Sequence, residues 1–158
     1  MSKLTNTIIA YNDFEDFKYD IIIDWAIELL EENISTDTIQ IVAGLQKPIN
    51  VFEARKYIET ILKDIDIPEY SKDKRIFLYS EKYVRNIADG IDIRTNLGKL
   101  SRICTSLDYE KIVYDFSLLY WAWDDLDYQD FQYYYPNANR DNIEAISKNV
   151  AIEWLQKK

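Results

Sequence analysis

The chain has 158 residues, with 19 Lys and Arg against 28 Asp and Glu, a net charge of −9 and no histidine. That length suits one domain with a real core, and an apolar content of 47% excludes a disordered acidic tail. Without histidine, Ser-His-Asp and Cys-His catalysis, His-ligated zinc and His-based pH switching are all excluded. The acidic balance argues against nucleic acid or an anionic membrane as partner.

Only three Gly and three Pro occur, and apolar residues recur at helical spacing. The expected fold is all-α, a single domain over residues 1–158 made of six to seven helices. The segment 1–12 has one lysine and a three-residue apolar run, which is not the pattern of a signal peptide. No stretch reaches the roughly 18 apolar residues of a membrane span, so a cytoplasmic protein is expected.

The first helix is expected over about Asp13–Glu32, with Phe14, Phe17, Ile21, Trp25 and Leu29 facing inward. A short helix follows, about Asp37–Leu45, capped by Ser35 or Thr36. Asn50, with Glu53 three residues on, opens a third helix in a capping-box pattern, continuing toward Pro68. Ser71 caps a fourth to about Asp89, with Gly90 beyond its end. A fifth covers about Thr95–Leu107. Asp108 is expected to cap a sixth, in which Tyr109, Ile112, Val113, Phe116, Leu119, Tyr120 and Trp123 share a core face. Tyr114, Leu118 and Trp121 lie away from that face, so the helix is either central and buried or carries a second contact surface. Residues 124–139 read as loop or broken helix, and a last helix runs over about Asp141–Gln156.

Asn33–Ile34–Ser35 and Gly90–Ile91–Asp92 form matching cassettes 57 residues apart. In each, a residue tolerant of the left-handed conformation is followed by an apolar residue able to fold back, as in a Schellman turn. Stacked αα-hairpins in a short HEAT-like array are therefore an alternative arrangement.

The charge excess lies in two blocks. Residues 1–33 hold eight acids and two bases, and residues 108–135 hold seven acids and one base. In the first block Asp16, Asp20, Asp24, Glu28 and Glu32 recur at i+4, which predicts one acidic ridge on a helix. Like charges at that spacing cost about 0.2–0.5 kcal/mol per pair, so the ridge has a local cost and no return visible in the sequence. It is a solvated face, a surface for a cationic partner or a metal-binding face. The second block contains 11 aromatic residues. Trp121, Asp124, Asp125, Asp127, Tyr128, Asp130, Tyr133 and Tyr134 give it the makings of a protein-recognition surface, with aromatic anchors and carboxylates that steer a basic partner.

Other chemistry finds little footing. Cys104, the sole cysteine, sits in an apolar helical context and reads as a small buried residue. From Asp125 the calcium-loop pattern fails, because its sixth position is Asp130 and its twelfth Pro136. The DDxxD pattern fails at Tyr128, and the glycines are isolated, so no phosphate loop is present. No metal, cofactor or catalytic residue is assigned, and the chain reads as a non-enzyme.

Three stretches carry a family resemblance: Trp25–Ala26–Ile27–Glu28–Leu29–Leu30, Ile41–Val42–Ala43–Gly44–Leu45 and Asn50–Val51–Phe52–Glu53. Ile87–Ala88–Asp89–Gly90–Ile91–Asp92, followed by Leu97–Gly98 and a Tyr/Trp/Asp-rich helix, is similar in kind. Together they resemble small helical bacterial immunity proteins of toxin–immunity systems. The resemblance implies a non-catalytic protein that neutralises a basic toxin domain, of nuclease type, by steric and electrostatic occlusion. The alternative is a helical-repeat scaffold that binds peptides or self-associates through exposed aromatics.

Overall fold

A computed structural model describes residues 2–157. The fold is all-α: the described residues form eight α-helices and one 3-10 turn, with no strand. The helices are α1 (Thr5–Ile8), α2 (Ile21–Glu31), α3 (Asp37–Ala43), α4 (Val51–Asp64), α5 (Lys72–Ala88), α6 (Ile93–Ser106), α7 (Tyr114–Tyr128) and α8 (Ile143–Leu155). No helix among the described residues is long and apolar enough to cross a membrane. The chain divides into two compact units, one ending at Arg75 and one beginning at Ile76.

In the first unit the core gathers Ile22, Trp25, Ala26 and Leu29 of α2, Ile39 and Val42 of α3, and Ala54, Ile58 and Ile61 of α4, with Ile8 and Tyr11. These are the i, i+3, i+4 positions of each helix, the stripe that faces a core. Trp25 is fully buried, and its indole N–H donates to Thr5 Oγ1 at 2.9 Å, so its one polar atom is satisfied. The caps follow the sequence. Thr36 Oγ1 accepts from Ile39 N, and Asn50 Oδ1 accepts from Phe52 N and Glu53 N.

The first helix is shorter than its apolar spacing predicts. Residues 13–20 form turns and α2 begins only at Ile21. Long-range bonds at two acids account for this. Asp13 takes a bidentate pair from Arg75 Nε and Nη2, both 2.8 Å, and Asp20 Oδ1 accepts from Ile49 N at 2.8 Å. Local periodicity cannot report partners tens of residues away.

In the second unit, α6 and α7 pack closely because small residues meet at their crossing. Gly98 lies under the Tyr120 ring, where an added Cβ would sit 3.1 Å from the ring edge. The Ser101 and Ser117 hydroxyls meet at 2.9 Å. Cys104 is buried beside them, and burial raises its thiol pKa. Trp154 of α8 stacks on Phe77 at 4.1 Å and donates to Ile112 O at 2.7 Å.

Asp108 does not cap the aromatic helix. Asp108 and Tyr109 both take left-handed conformations, with φ of 57° and 62°. Glu110 provides the cap instead, accepting from Ile112 N ahead of the 3-10 turn Lys111–Val113 and α7. The aromatic core face is correspondingly narrower: Val113, Phe116 and Leu119 are buried, Tyr120 and Trp123 half-buried, and Tyr109 exposed.

The matched cassettes close with the same hydrogen bonds. Ile34 N donates to Leu29 O at 2.9 Å and Asn33 N to Leu30 O at 3.0 Å; Ile91 N donates to Asn86 O at 2.7 Å and Gly90 N to Ile87 O at 3.0 Å. Asn33 and Gly90 carry φ of 62° and 75°, so both are Schellman turns. Ile65–Asp66–Ile67 makes a third, with Ile67 N on Leu62 O at 2.9 Å and Asp66 at φ 56°. The turn repeats without a repeated hairpin. The first joins α2 to its neighbour α3, whereas α6, which follows the second, lies closest to α7.

Candidate protein-binding surface

The two acidic blocks have different fates. In the first, the middle of the expected ridge is structural. Asp20 holds the Ile49 amide, and Asp24 pairs with Lys47 at 3.0 Å. Glu28 accepts from Ser2 Oγ at 2.7 Å, Lys3 N at 3.0 Å and Leu4 N at 3.1 Å. Asp24 and Glu28 on one face of α2, with Asp20 at its N-cap, thus fasten two other segments, 2–4 and 47–49. That is the return which offsets their mutual repulsion. Asp16 lies outside α2 in the preceding turns, and Glu32 stands at its C-terminal end. Both are exposed, with no side-chain partner among the described residues. A continuous ridge from Asp16 to Glu32 therefore does not form.

In the second block, helix α7 continues through the first aspartates to Tyr128 instead of breaking at Asp124. Arg94 of α6 reaches both Asp127 and Asp124, the latter at 3.6 Å, and lies over the Trp123 ring. The hydrogen bond from Arg94 holds the Asp127 carboxyl below its usual pKa. Arg140 bonds Asp130 at 2.7 Å and also donates to Leu126 O at 2.6 Å and Gln129 O at 3.1 Å. Leu126 O is a last-turn carbonyl left open by the helix end, so Arg140 serves as a cap in trans. Three of the four aspartates are thus matched internally. Only Asp125 has no side-chain partner among the described residues.

The aromatic residues are what remains open. Along α7, Tyr114, Leu118, Trp121, Asp125 and Tyr128 are spaced i, i+4, i+7, i+11 and i+14, which places them on one outward stripe. Tyr114, Trp121 and Tyr128 on that stripe are exposed. Beyond it, Phe131 and Tyr133 pack ring to ring at 5.4 Å and remain 53% and 89% exposed, next to Tyr128 at 85%. Tyr134 is exposed, while Tyr135 turns inward and burial raises its pKa.

This loop is held in place by polar side chains. Gln132 Nε2 donates to Tyr135 O at 2.5 Å and Ala138 O at 3.0 Å, and its Oε1 accepts from Tyr134 N and Tyr135 N, both at 2.8 Å. One amide group thereby satisfies four backbone groups. Asn139 and Asn142 bond reciprocally: Asn139 Oδ1 accepts from Asp141 N and Asn142 N, and Asn142 Oδ1 accepts from Asn139 N at 2.7 Å. Neither Gln132 nor Arg140 was visible as a site residue in sequence. The available signal was one arginine directly after a block of seven acids.

Among the described residues, no group of three or more carboxylates and thiols is arranged to hold a metal ion. Compared with family models, curated proteins and solved structures, the chain matches none.

Proposed function

We propose that this protein is a non-catalytic binder of a basic protein, the role of an immunity protein that occludes a cationic toxin domain. The observation that carries the reading is the aromatic loop. Tyr128, Phe131 and Tyr133 stay open to solvent although Gln132 and Arg140 hold the backbone around them. Large apolar rings on an ordered loop bind at low entropic cost, and tyrosine is a typical interface anchor. The excess negative charge steers a basic partner toward the protein. In this reading the contact is the α7 stripe and the loop after it, with Trp121, Tyr128, Tyr133 and Tyr134 as anchors. Asp125 is its unmatched charge.

Self-association is the competing reading, favoured by the i, i+7, i+14 spacing of Tyr114, Trp121 and Tyr128, which suits a helix–helix seam. A titration against the product of the adjacent gene, at low and high salt, tests the first. Tight binding whose association slows with salt supports it. No interaction sinks it, and salt-insensitive binding removes its electrostatic part. A concentration-dependent dimer in sedimentation, lost in Trp121→Ala, would favour the second.

A further inference from the structure

A second feature lies wholly within the first unit and does not depend on the reading above. A cleft of about 610 Å³ opens between residues 9–12, helix α4 and the segment 67–70. That size is within the usual range for small-molecule sites. Ile9, Leu62, Ile67 and Pro68 give it apolar walls, and two carboxylates, Glu59 and Glu69, stand on its lining.

The charged groups decide which ligand suits it. Arg75 also lines the cleft, but all three of its nitrogens are engaged: Nε and Nη2 on Asp13, and Nη1 on Tyr70 O at 2.6 Å. Its charge is matched by an Asp13 side chain only 6% exposed. An entering anion would meet Lys63 alone and face both glutamates. A cation also meets Lys63, but it finds two carboxylate residues, Glu59 and Glu69, on the same lining, with Tyr11 and Tyr70 beside them. Glu59 Oε1 accepts from the buried Tyr11 hydroxyl at 3.2 Å, and Oε2 has no donor among the described residues. The phenol thus orients a carboxylate at the cleft and leaves one oxygen for a ligand.

We propose that this cleft binds an organic cation on an aliphatic stem, a guanidinium or primary ammonium, with the stem on the apolar walls and the head between Glu59 and Glu69. The ligand is either a free amine or a basic side chain presented by a protein.

The test is a methyl- and amide-detected NMR titration of the full chain with n-butylguanidinium, a capped Gly-Arg-Gly peptide and pentanoate as size-matched anion. Saturable shifts at Ile9, Leu62 and Ile67 with butylguanidinium are expected, with a dissociation constant on the order of 1–10 mM. Glu69→Gln, at an exposed residue, should weaken it at least about fivefold, and Glu59→Gln likewise. Equal binding of the peptide assigns the site to protein side chains, and its exclusion assigns it to free amines. Absence of saturable shifts at the cleft, pentanoate binding as well as butylguanidinium, or unchanged affinity in Glu69→Gln would each overturn the proposal. Tyr128→Ala/Tyr133→Ala should leave this titration unchanged, which separates its outcome from that of the partner titration.

Discussion

Replacing Glu28 with alanine separates a structural acid from a solvated one. In the folded protein its carboxylate holds the Ser2 hydroxyl and the Lys3 and Leu4 amides ahead of α1. Ser2 is 1% exposed, so its hydroxyl would lose its acceptor without gaining free access to water. A hydrogen bond to a charged acceptor contributes about 1.5–3 kcal/mol, and a buried group left unpaired costs about 1–3 kcal/mol. Lys3 is exposed and its amide can rehydrate. Leaving Ser2 and Leu4 without their acceptor, at about 1–3 kcal/mol each, therefore costs at least about 2 kcal/mol. Urea denaturation should show that loss in Glu28→Ala, and hydrogen exchange should accelerate at residues 3–9. Glu32→Ala, which removes an exposed acid from the same expected ridge, should stay within about 0.5 kcal/mol of wild type. If the two variants lose equal stability, or neither loses any, the fastening role assigned to Glu28 is wrong.

Three further outcomes follow from the same bonds. Arg75→Ala strips the partner from a nearly buried Asp13 carboxylate and should destabilise the protein by about 3 kcal/mol, while the Asp13→Asn/Arg75→Ala pair should recover part of that in a double-mutant cycle. Gln132→Ala leaves four backbone groups without their partner, and the two of them that are amides, at 134 and 135, should exchange faster and their order parameters fall, with α8 unaffected. The Asp127 carboxyl is depressed by Arg94, so its contribution is present above its unfolded pKa and is lost as pH falls. The stability gap between wild type and Asp127→Asn should therefore close below about pH 4, as read by denaturation across pH.

What could be read from the chain alone was local. Asn50, Thr36 and Ser71 bond the amides two or three residues ahead, and Asn33 and Gly90 act through their own φ. Such devices leave a mark within five residues. The i+4 acids of α2 were equally legible as a pattern, but their partners were not. Asp20 and Glu28 bind backbone amides at Ile49, Lys3 and Leu4, and every residue carries such an amide. Sequence could count the charges but not find what they fasten. The loop after α7 shows the converse case. Its aromatics were conspicuous, yet their display depends on Gln132 and on Arg140 reaching back to Leu126 O.

The proposed surface is tested most directly by the affinity of Tyr128→Ala/Tyr133→Ala for the adjacent gene product, set beside Asp16→Asn/Glu32→Gln. Both ring residues are more than 80% exposed, so folding should be unchanged. An interface anchor contributes about 2 kcal/mol, which predicts roughly a 100-fold or greater loss for the aromatic pair, mainly through faster dissociation. The acidic pair should lose only a few-fold, through slower association. Wild-type affinity in Tyr128→Ala/Tyr133→Ala would contradict the account.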